Sequence, residues 1–72
     1  MDIIEKIQVA CVKRGKITEA ELARRIGLSP QSYANKKKRG TIGIPELTAI
    51  AEALGLELDI SFRDPSTGEI VA

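Results

Sequence analysis

The stretch from Thr18 to Arg39 constrains the fold most, because two helix-start signals lie there with almost nothing between them. Thr18 has the character of an N-cap. Glu21 sits at the third helical position to return the capping bond, and Ile17 with Leu22 forms a hydrophobic staple. Leu22, Ala23 and Ile26 make an inward stripe, with Arg24 and Arg25 outside, and Gly27 suits the left-handed residue that ends a helix. Only Gly27 and Leu28 then precede Ser29-Pro30, a second cap followed by a proline whose missing N–H is no loss at a first helical position. Two short helices joined by so tight a turn must cross steeply.

The second of these helices is predicted to run to about Arg39 and to stop at Gly40. With Tyr33 turned inward, steps of 100° place Gln31, Asn35 and Lys38 on the opposite side, flanked by Ser32 and Ala34. The helix ends in Lys36-Lys37-Lys38-Arg39. Amides on one face and cations at one end describe a polar reading surface, not a second core face.

Upstream, Asp2 and Glu5 have capping-box spacing and start a helix to about Arg14. Ile3, Ile4, Ile7, Ala10 and Cys11 share its apolar face, and Gly15 ends it. Downstream, Pro45 opens a helix with Leu47, Ile50, Ala51 and Leu54 on one side, closed by Gly55. The period then changes from helical to alternating: Leu56, Leu58, Ile60 and Phe62 face one way, Glu57, Asp59, Ser61 and Arg63 the other. Asp64-Pro65-Ser66-Thr67-Gly68 is rich in turn formers, and Glu69 to Ala72 would return with Val71 opposite Phe62. The expected fold is mainly α. Residues 1–55 form a bundle of four to five helices, and residues 56–72 add a C-terminal β-strand or hairpin to the same domain.

Composition narrows the function classes. Seventy-two residues make one domain, and with no Trp, one Phe and one Tyr its core must be aliphatic. Cys11 stands alone on an apolar face, which excludes a disulfide framework or a zinc-binding thiol pair and suits a small buried hydrophobe in a reducing, cytoplasmic setting. The chain has no His, no paired carboxylates in a plausible cleft and no phosphate-cradling glycine loop, so neither catalysis nor a metal or cofactor is expected. No apolar run reaches membrane-span length, and Met1-Asp2-Ile3 lacks the basic start of a signal peptide.

The formal net charge of +1 hides a strong polarity. Lys13, Arg14, Lys16, Arg24, Arg25 and the four cations from Lys36 to Arg39 face only Glu19 and Glu21, a net of +7 for that segment. From Gly40 onward Arg63 meets six acids, a net of −5. Such an oriented field suits docking on a polyanion.

Leu22-Ala23-Arg24-Arg25-Ile26-Gly27-Leu28-Ser29-Pro30-Gln31-Ser32-Tyr33 resembles the helix-turn-helix of the lambda-repressor-like family, which includes phage repressors, Cro proteins and small regulators of the XRE type. The matching positions are Leu22, Ala23, Ile26, Gly27, Leu28, Ser29 and Gln31, and Arg39-Gly40 and Ala53-Leu54-Gly55 extend the likeness over roughly residues 2 to 55. The resemblance implies that Ala23 is small because the recognition helix packs on it. Two positions depart from the pattern. Lys36 holds the late apolar position of the recognition helix, so Tyr33 and the alkyl stem of Lys36 or Lys37 must do that packing. Glu19 stands where the family often has a phosphate-contacting Gln.

Side-chain chemistry then assigns roles. Gln31 and Asn35 can pair with adenine, Ser32 flanks them, and Lys38 can reach guanine or a phosphate. Ser29 with the amides at the helix start, and Lys36, Lys37 and Arg39, are expected to hold phosphates and set affinity. The expected function is sequence-specific binding of double-stranded DNA by a transcriptional repressor. A palindromic operator would be read by a homodimer paired through Leu58, Ile60 and Phe62 of the C-terminal strand. The other reading of those three residues is a cover for the monomer's own core, which the small size of the monomer makes the lesser of the two. The alternative function is an antitoxin-type protein that binds a toxin partner and its own operator.

Overall fold

A computed structural model describes all 72 residues as four helices: α1 (Ile3–Lys13), α2 (Glu19–Arg25), α3 (Pro30–Arg39) and α4 (Ile44–Ala53). The first three start where their caps predict. Asp2 accepts the Glu5 N–H at 2.8 Å, Thr18 the Glu21 N–H at 3.1 Å, and Ser29 the Ser32 N–H at 3.0 Å. Each bond satisfies one amide that the helix itself cannot. The reciprocal bond expected from Glu21 does not form. Its carboxylate takes Arg24 Nη1 at 3.2 Å and Arg25 Nε at 3.4 Å, one turn further on. In α4 the cap is Gly43, whose N–H donates to Glu46 Oε2 at 3.2 Å. Gly40 ends α3 with a φ of 69°, a conformation in which a Cβ would be strained.

The core gathers one residue or pair from each helix: Ile7 and Cys11 of α1, Leu22 and Ala23 of α2, Tyr33 of α3, Ile50 of α4, and Leu54 just beyond it. Leu22 and Ala23 have no exposed surface at all. Helix α2 is therefore the hub: it packs on α3 and also touches α1 and α4. An extra guanidinium contact ties the hub to the far end of the fold, Arg25 Nη1 donating to the Ala53 carbonyl at 3.5 Å. Burial of a side chain such as Leu22 contributes about 1.5–3 kcal/mol.

The C-terminal segment differs from expectation. There is no fifth helix and no C-terminal strand; the only β pairing is an isolated antiparallel bridge between Arg63 and Ile70. The turn itself forms as read, because its bonds are local. Asp64 Oδ1 accepts from Ser66 N–H at 2.9 Å and from Ser66 Oγ at 2.7 Å, and Gly68 has a φ of 75°. Val71 N–H reaches the Phe62 carbonyl at 2.7 Å, so those two residues do lie opposite each other. Residues 56–61, however, have no neighbouring strand to bond with, and two short strands alone are marginal in water.

Nor does this segment cover the core. Leu56 packs on it, but Leu58, Ile60 and Phe62 are 37%, 56% and 73% exposed. The radius of gyration is 13.5 Å, against about 11 Å for a packed domain of this length. No helix is long and apolar enough to cross a membrane.

Candidate nucleic-acid interface

Helix α3 presents two unlike sides because a single residue, Tyr33, anchors it. The Tyr33 ring is 3% exposed within the core, and its hydroxyl is sealed from solvent without a hydrogen bond of ordinary geometry. Burial first, and the Glu19 charge second, push the phenol's pKa well up, so it stays neutral. On the opposite side Gln31, Asn35 and Lys38 are exposed, as their spacing predicts, and so is Ser32 on their flank. No protein hydrogen bond occupies the side-chain amides of Gln31 and Asn35 or the ammonium of Lys38. Their donors and acceptors are therefore available to a ligand.

The start of α3 is more committed. Ser29 Oγ accepts the Ser32 N–H and donates its own proton to Ser32 Oγ at 3.0 Å. Pro30 has no N–H, and the Tyr33 N–H goes to the Ser29 carbonyl at 3.0 Å. That leaves the Gln31 N–H and the Ser32 hydroxyl proton as the free donors of the first turn. Both lie at the positive end of the helix, where an anion is favoured.

The four cations at the other end divide into two kinds. Lys38 and Arg39 are exposed and take part in no ion pair. Lys36 and Lys37 do not project freely. Lys36 Nζ lies 3.2 Å from Glu46 Oε1 of α4, and Lys37 Nζ lies 2.8 Å from Glu19 Oε2 of α2. Lys37 Nζ also sits 5.8 Å above the Tyr33 ring centre, a cation–π contact that sets this lysine against the ring.

Glu19 is thus an internal partner. Burial works against its charge, but the hydrogen bond and charge of Lys37, with Gln8 and Tyr33 beside it, outweigh that and hold its carboxyl below the usual glutamate range. Cys11 is buried, and burial together with the Glu19 charge raises its thiol against a smaller pull from Arg25. It is an apolar core member, not a nucleophile.

Sequence reasoning misses the two acids that hold Lys36 and Lys37. A usable signal is present, since both lysines follow the buried Tyr33 by three and four residues and so start out along its side of the helix. It also misses an open apolar cavity of about 420 Å³, walled by Ile3 and Ile7 of α1, Ile44 and Leu47 of α4, and Leu58 and Ile60 of the tail.

The helix-turn-helix family model matches residues 10–60, a span that holds α2, the turn, α3 and α4 whole. No curated protein and no solved structure matches the chain.

Proposed function

The chain belongs to the lambda-repressor-like helix-turn-helix family, one of DNA-binding regulators and typically non-enzymatic; from that premise we propose that it represses transcription by laying α3 in the major groove of a specific operator. The observation that carries this reading is the exposure of Gln31, Asn35 and Lys38 on the side of α3 opposite a fully packed Tyr33. Gln31 and Asn35 each pair with the exocyclic amine and N7 of an adenine. Ser32 donates its remaining proton to a neighbouring base edge, and Lys38 takes guanine or a phosphate. The Gln31 N–H at the α3 start, with Ser29 shaping that turn, and Arg39 at its end hold the backbone.

One such module reads only a few base pairs, so we propose a homodimer on a palindromic site, with half-sites about one helical turn apart. The exposed apolar residues Leu58, Ile60 and Phe62 would carry the pairing by packing instead of by the strand ladder their sequence suggests. The second reading, an antitoxin that holds a toxin through this tail as well as its operator, rests on the same exposed apolar surface. Cytoplasmic residence follows from either.

The test is a set of titrations on a bound duplex. Gln31→Ala or Asn35→Ala should cost about 1–3 kcal/mol on the preferred site and little on random sequence. Arg39→Ala should weaken binding to all sequences alike and lower the salt slope by about 0.9. Equal effects of both kinds of change on every duplex would contradict the division into readers and holders.

A further inference from the structure

The basic end of α3 carries four adjacent cations, yet two of them are already neutralised by carboxylates from other helices. Glu19 of α2 and Glu46 of α4 reach Lys37 and Lys36 at 2.8 and 3.2 Å, and their side chains are only 23% and 25% exposed. Glu46 is fixed from a second direction, because it also accepts the Gly43 N–H that caps α4, while Glu19 is packed beside the buried Tyr33. The pairs of Glu21 with Arg24 and Arg25 are different: they lie within one helix, with side chains 43% to 60% exposed, and are open to screening by salt.

A cation adds to DNA affinity chiefly by neutralising a phosphate and releasing its condensed counterion. A lysine held by a fixed, partly buried carboxylate can do this only after leaving it. We propose that Glu19 and Glu46 limit affinity by holding Lys37 and Lys36 in reserve, so that backbone contact at this end of α3 rests on Lys38 and Arg39. Binding to arbitrary sequence is thereby kept weak, and discrimination falls to Gln31 and Asn35. The proposal rests on the DNA-binding reading above.

Glu19→Gln and Glu46→Gln test it, because glutamine keeps the shape and, at position 46, an oxygen for the Gly43 N–H. Each should tighten binding to a random-sequence duplex severalfold in 0.1 M salt and steepen log K against log salt by about 0.9. The gain should vanish in Glu19→Gln/Lys37→Gln and Glu46→Gln/Lys36→Gln. In the otherwise unaltered chain, Lys37→Gln should leave the slope unchanged while Arg39→Gln lowers it by about 0.9. This second comparison decides the matter if an acid variant fails to fold by circular dichroism. An unchanged slope in the folded acid variants would overturn the proposal. So would a gain that survives in the lysine-free doubles, which would come from lost repulsion alone. If the unaltered chain binds no duplex at low salt, the DNA-binding reading itself falls, and this shows before any variant is compared.

Discussion

Tyr33 decides which way α3 faces. It is the only large apolar side chain in that helix, and the sequence makes its inward placement legible for that reason. That a lysine lies beside it is legible too, since Lys37 follows Tyr33 by one helical turn. The partner carboxylates are not, since Glu19 lies 18 residues from Lys37 and their meeting depends on the crossing of α2 and α3. Tyr33 also contains a testable oddity. A buried hydroxyl without a partner stabilises nothing, so Tyr33→Phe should change unfolding free energy by less than about 1 kcal/mol. Tyr33→Ala should cost about 3–5 kcal/mol through the cavity it leaves. Urea denaturation checks both, and a large loss in the Phe variant would mean that the hydroxyl has a bonding role with Glu19.

Among the elements, the helices are legible and the tail is not, and the reason is locality. Asp2, Thr18 and Ser29 each cap an amide three residues on, a bond that needs no distant partner. The turn from Asp64 to Gly68 forms for the same reason. Alternating polarity over residues 56–62 implies a strand only where another strand lies alongside, and within one copy none does. The apolar face so left open yields a prediction for the proposed dimer. Ile60 and Phe62 are 56% and 73% exposed, so Ile60→Asp with Phe62→Asp should leave the melting temperature of the monomer nearly unchanged. In sedimentation the same pair should convert dimer to monomer. A doubly substituted chain that sediments as a dimer would remove the tail from the interface.

At the scale of the whole molecule, charge and shape work to one end. The basic segment holds α2 and α3, the acidic segment holds α4 and the tail, and the two are knit where Lys36 meets Glu46. The net charge of +1 is therefore a poor guide, while the polarity of the chain is a good one. Selection of bound duplexes from a random pool tests the central claim, that the amide face of α3 reads bases, most directly. The expected result is a palindromic consensus with adenines in each half-site, and loss of the preference at one adenine position when the selection is repeated with Asn35→Ala. A pool that shows no enrichment at low salt, or the same consensus with and without the Asn35 amide, would contradict it.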